Sequence, residues 1–171
     1  MSKLNYEQKM RLKYNQNASR TAYIRLSKAI ETYDNNGIYS SIGELLLWVM
    51  TTHKWHKTHG LIDYDSRRMS NENGLIISGL SHAYNSMKHN MEIFNIHNKK
   101  QGFSFSSFSF SNLDFRPYTV HWIEAGKLLN GKYENQKQNY ITYIEGKEVL
   151  KTFNEALIFL NKENEKHLFN S

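Results

Sequence analysis

His82, Asn85 and His89 recur at intervals of three and four in "GLSHAYNSMKHNMEIF" (79–94), which lines them along one side of a helix. Ile76, Leu80, Ala83, Met87, Met91 and Phe94 line the other side, so a core face is already supplied. An imidazole exchanges protons near neutral pH, and Lys88 adds a fixed cation while Asn85 and Asn90 add amides. Such a set suits proton transfer beside an anion, and a helix holds it more rigidly than a loop. A second group, His53, His56 and His59, lies in "HKWHKTHG". His53 and His56 could reach one ion, with a carboxylate or His82 completing it. They also continue the apolar side of Ile42, Leu45 and Val49, where histidines cap the end of a bundle. With no HExxH pattern and no cysteine, neither a metal nor another cofactor is expected.

The elements that must position these residues are mostly helical. Apolar spacing over Tyr23, Ile24, Leu26, Ala29 and Ile30 predicts a helix over about 18–34, with a possible continuation back through Asn5–Tyr14. "DNNG" (34–37) ends it. Ser41 and Glu44 have capping-box spacing, and a second helix is expected over about 42–58, stopping near Gly60. A polar loop should cover 61–73, and a third helix 74–98. Three long helices with short connections pack as antiparallel neighbours. "FSFSSFSFS" (103–111) then alternates with a period of two, as does a half-buried strand. It carries no basic residues between its phenylalanines, unlike a nucleic-acid stacking platform. "YTVHWI" (118–123) is a second strand. "YITYI" (140–144) reads as a third, closing through Gly146–Lys147 onto Val149 and Leu150, with a short helix as the alternative. Thr152 and Glu155 repeat the capping spacing ahead of a last helix over about 153–162. The expected class is α+β: a helical bundle with a small β-rich insertion (about 103–151) before the C-terminal helix, all one domain over 1–171.

Composition narrows the role. A chain of 171 residues, 39% hydrophobic and 22% charged, supports one independent core. The formal charge of +6 permits an anionic partner, although the basic residues are spread along the sequence. There is no cysteine, the first ten residues lack the apolar run of a signal peptide, and the longest apolar run is Leu45–Met50. A cytoplasmic protein with no membrane partner is expected.

The six residues Tyr84-Asn85-Ser86-Met87-Lys88-His89 resemble the Arg-x4-His motif of HEPN domains, often written Arg-Asn-x3-His. These are small helical bundles of bacterial toxins, defence systems and CRISPR ribonucleases. "ELLLWVMTTHKW" (44–55), "GLSHAYN" (79–85) and "YIEGKEVLKTFNEALIFL" (143–160) are similar to further segments of an uncharacterised HEPN-like bacterial group, so the resemblance spans roughly residues 40–160. It implies metal-independent RNA cleavage by a homodimer whose motifs face each other. His89 would then act as base or acid, and Asn85 would orient it or touch the phosphate. The motif arginine is replaced by Tyr84, which removes a phosphate clamp and about a hundredfold in rate. Lys88, Arg67 or Arg68, with His82 beside them, would have to bind the substrate instead. Two functions emerge as expectations: an RNA-binding or ribonuclease-type protein of defence or toxin biology, weakened by that loss; or a non-catalytic protein-binding module of the same fold, an antitoxin-like partner or a phage- or mobile-element-encoded inhibitor.

Overall fold

A computed structural model describes residues 4–89, 92–98, 118–128 and 132–168. Helix α1 (Tyr6–Glu31) is continuous across both stretches of helical sequence. It starts at a capping box: Asn5 accepts from the Gln8 N–H, and the Gln8 side chain accepts from the Asn5 N–H. Its first half buries little beyond Leu12 and Asn15, which is why apolar spacing marks only the second half. The chain reverses at Thr32–Asp34, where Tyr33 takes φ +54° at a position that usually holds glycine. Asp34 then caps α2 (Asn35–His59) by accepting from the Gly37 N–H. The Ser41–Glu44 capping box is therefore not used. Both residues lie inside α2, and Glu44 pairs with Arg25 of α1. Contacts of Gln8 with His59 and Arg25 with Glu44 make the two helices antiparallel.

The expected loop at 61–73 contains a short helix, α3 (Tyr64–Met69), which leads into α4 (Glu72–Met87). The helix expected over 74–98 stops at Met87, and Phe94–Asn98 is a strand, β1. Phe94 fits helical spacing from Met87 and Met91, but Phe94 and Ile96 fit strand alternation equally well. Pairing decides between them: β1 lies antiparallel to β2 (Tyr118–Trp122), from Phe94 opposite Trp122 to Asn98 opposite Tyr118. Val120 and Trp122 are buried on the inner face, leaving Asn95, His97, Thr119 and His121 on the outer one.

After a 3-10 turn at Ala125–Lys127 comes α5 (Glu134–Tyr143), so Tyr140–Ile144 takes the helical alternative rather than a strand. Tyr140 and Ile144, four apart, are both fully buried beside α4 while Thr142 between them is exposed, which a helical course delivers and strand alternation does not. Gly146, at φ +70°, turns the chain back onto β2, where the Trp122 N–H donates to the Lys147 carbonyl (3.0 Å). The closing hairpin is replaced by α6 (Val149–Leu168), which already includes Val149 and Leu150. The Thr152–Glu155 cap is likewise unused, since the Thr152 hydroxyl donates to the Glu148 carbonyl within the first turn. The phenylalanine–serine alternation at 103–111 lies outside the described residues. The fold is mainly helical with a two-stranded antiparallel sheet. Among the described residues no helix is long and apolar enough to cross a membrane.

Helix α4 is the centre of this arrangement. Residues 76–83 are buried without interruption, because α2, α3, α5 and α6 all pack on it. Small residues permit the approach. A Cβ on Gly79 would stand 2.7 Å from Ile144 Cδ1 and 3.0 Å from the Tyr140 backbone N and Cα. Gly43 of α2 differs, since its added Cβ would meet only the flexible Met87 thioether at 3.4 Å. Gly79→Ala is therefore expected to destabilise by about 1–2 kcal/mol, overpacking exceeding the gain in helix propensity. Gly43→Ala is expected to be neutral or stabilising by up to about 1 kcal/mol. Urea unfolding of both variants checks this, and equal stability for the two would contradict it.

Candidate functional site

The polar edge of α4 does not face solvent along its length. His82 is 1% exposed, its ring edge-on to Tyr140 of α5 at 5.4 Å. Burial lowers its pKa, Lys137 lowers it further and Glu134 opposes, so the ring is neutral. Its Nε2 has no hydrogen-bonding partner among the described residues. One turn on, the Asn85 amide donates to Gln136 of α5 (3.4 Å). Only His89, in the turn after α4, is exposed. The His82–Asn85 part of this edge is thus covered by α5 of the same chain, and the His89 end is not.

The remaining motif positions are also occupied. Tyr84 is partly buried against the core, and the Lys88 ammonium sits 4.9 Å from the centre of its ring. Arg67 and Arg68 do not reach the His89 end of α4. They belong to α3, beside the start of α4, where a Cβ on Gly74 would strike the Arg68 carbonyl. The sixteen residues of α4 separate that end from His89 by about 24 Å. Arg67 is moreover clamped by Glu163 of α6 (Nε–Oε1 3.0 Å, Nη2–Oε2 2.6 Å) and by Asp63. Arg68 pairs with Asp65 at 3.3 Å. Of the six expected site residues, the structure brings Lys88 and His89 together at the surface and leaves the other four engaged elsewhere.

His53 and His56 do cap the end of the bundle, as their place on the apolar side of α2 suggests. His53 Nδ1 lies 2.8 Å from the Tyr64 hydroxyl. His56 Nε2 donates to the Asn164 side-chain oxygen Oδ1 (2.8 Å) and its ring stacks on Tyr64. His167 of α6 is 5.6 Å away, and Trp55 closes the layer. Desolvation lowers both histidines to about 4, Arg68 adding for His53; for His56 the Asn164 bond opposes and His167 adds. The cluster is therefore neutral packing. Among the described residues no three histidine or carboxylate side chains converge as metal ligands.

A third pair escaped the sequence reading. His97 and His121 are diagonal neighbours on the outer face of the sheet, with ring centres 4.9 Å apart. His121 Nδ1–H donates to the Gly146 carbonyl (2.9 Å), and Nε2 lies 3.1 Å from the Thr119 hydroxyl. The two line a groove of about 410 Å³ with Asn95, Glu124 and Lys127. Glu124 lies 3.7 Å from the Lys127 ammonium, which cancels the cation that a phosphate would seek. The alternation of "FNIHN" was the available signal, masked by its equally good fit to a helix.

The histidine cluster makes stability depend on pH. The folded chain keeps His53 and His56 neutral down to about 4, whereas unfolded histidines bind protons below about 6.5. Their contribution is complete above the unfolded value and is lost as pH falls through the window between the two. Protonating His56 also places a charge on Nδ1, which is buried without a partner among the described residues. Moving from about pH 7 to about pH 5 should cost on the order of 2 kcal/mol through His56 alone. Chemical denaturation at both pH values tests this against His56→Gln. The expected result is a smaller pH effect in the variant; an unchanged one would contradict it.

No protein-family model, curated protein or solved structure matches this chain, so its residues alone carry any functional reading.

Proposed function

We propose that this protein is a HEPN-like helical binding protein that holds RNA without cutting it. The observation that carries the reading is the burial of His82 beneath Tyr140, which leaves one solvent-exposed imidazole on the edge where cleavage would need a base and an acid. Tyr84 in place of the motif arginine and the clamping of Arg67 by Glu163 argue the same way, since neither offers a free guanidinium for a scissile phosphate. The net charge of +6 favours RNA over a cationic or neutral protein partner. A place in bacterial defence or toxin biology, as an inhibitor or antitoxin-like partner, rests on the resemblance alone.

A second reading keeps the nuclease. Lys88 and His89 are both exposed at the end of α4, so a homodimer formed about this corner could set two His89 rings face to face. One experiment separates the two readings. Mixed-sequence RNA is incubated in EDTA with the wild type and with His89→Ala, and both retention and chain length are followed. The expected outcome is RNA retained at low salt and intact with either protein. Cleavage that survives EDTA and disappears in the variant would restore the nuclease reading; absence of retention would remove RNA as the partner.

A further inference from the structure

We infer that the outer face of α1 is the surface on which a single-stranded polynucleotide lies, an inference that rests on the RNA-binding reading but not on the α4 edge. Charge is the first ground. Helix α1 carries six basic side chains against Glu7 and Glu31, a net +4 out of the +6 of the whole chain. Two thirds of the formal net charge thus falls on one element, which holds six of the 22 basic residues and few acidic ones, and such a local excess is what an electrostatic footprint requires.

The second ground is where these charges point. Leu12, Ala22, Leu26, Ala29 and Ile30 bury the inner side of α1. Tyr6, Lys13, Asn17, Arg20, Ile24 and Lys28 recur along the opposite side, and all are exposed. Arg25 is neutralised by Glu44, but Lys13, Arg20 and Lys28 enter no ion pair among the described residues. They span about 22 Å of helix, with the two acidic side chains near its ends.

The third ground is what stands between the charges. Tyr6 is 77% exposed and Tyr14 60%, on either side of Lys13 in the same exposed surface. Aromatic rings interleaved with cations stack bases while the cations take the phosphates, and every base offers a face to such a ring. A lipid surface would need a continuous apolar strip to sink into the bilayer, whereas Tyr6, Tyr14 and Ile24 are separated by polar and charged positions. A duplex would not supply unstacked bases to the tyrosines.

The test measures polarisation of labelled single-stranded RNA, and of DNA of the same sequence, over a salt series. Four proteins are compared: wild type; Lys13→Gln/Arg20→Gln/Lys28→Gln; Tyr6→Ala/Tyr14→Ala; and a control, Lys54→Gln/Lys151→Gln/Lys162→Gln, from the exposed sides of α2 and α6. All substituted residues except the tyrosines are solvent-exposed charges, and circular dichroism verifies that each variant is folded. The charge variant should bind at least tenfold more weakly at low salt, with the log–log salt slope reduced by about 2, or roughly 0.7 for each phosphate no longer neutralised. The tyrosine variant should lose about tenfold with the slope unchanged. The control should match the wild type apart from a small uniform loss.

If wild type binds and both α1 variants behave like the control, this inference fails while RNA binding stands. If wild type binds neither polymer at low salt, both fail. Anionic vesicles of phosphatidylserine are included as a further arm; binding to them alone, lost in the charge variant, would assign the face to a membrane surface and overturn the inference. Comparable RNA and DNA affinities would show recognition through bases and phosphates, and a strong RNA preference would add the 2′-hydroxyl.

Discussion

The close approach of α5 to α4 at Gly79 constrains everything else in the molecule. With no side chain at 79, the Tyr140 backbone can pass at a distance that excludes even a methyl group, and the tyrosine ring then descends over His82. Its hydroxyl donates to the Ile123 carbonyl at 2.7 Å, which ties the covering helix to the segment after β2. A central helix surrounded on every side results. Polar residues along such a helix turn inward, some of them with a partner on the same chain. The Ser81 hydroxyl, for example, donates back to the Ile77 carbonyl.

Much of the fold was legible because the signals were local. Apolar spacing in the second half of α1 and in α2 and the β-branched run of β2 each reflect the element they form, whereas "DNNG" (34–37), which reads as a turn, supplies the cap and first residues of α2. Errors arose where one pattern served two structures. Met87, Met91 and Phe94 extend a helix as well as Phe94 and Ile96 begin a strand, and only the partner β2 distinguishes them. Ser41–Glu44 and Thr152–Glu155 have cap spacing, yet α2 starts earlier at the Asp34 cap and α6 at Val149, which leaves both pairs inside helices. The cover over His82 and Asn85 was not legible for a non-local reason. A polar stripe opposite an apolar one ordinarily faces water, and nothing in residues 79–94 announces a helix fifty residues later that lies across it.

The other end of the bundle shows how a polar cluster can be structural. Burial alone would raise the Glu163 carboxyl, but the hydrogen bonds from Arg67 and Lys166 outweigh it and hold it ionised. The pair joins α3 to α6 across ninety-six positions of sequence. Removing Arg67 would leave the buried Glu163 carboxylate with Lys166 alone, so the pair matters through the penalty for breaking it more than through a net gain. His56, Asn164 and Tyr64 complete the layer with neutral groups. Histidines here are shape-filling rings with one donor each, a role the spacing of His53 and His56 conveyed correctly.

At the α1–α2 reversal, a left-handed tyrosine has a consequence beyond its own strain. Its ring rests on Tyr118 at 4.3 Å, the first residue of β2. A ribbon of two strands is marginal when isolated. Here it is gripped at its far tip by an aromatic clasp as well as at its base by Trp122. Replacing Tyr33 with the conformationally favoured glycine would relax the corner and at the same moment unfasten that tip, so the local geometry that looks least comfortable is the one that sets the ribbon's orientation.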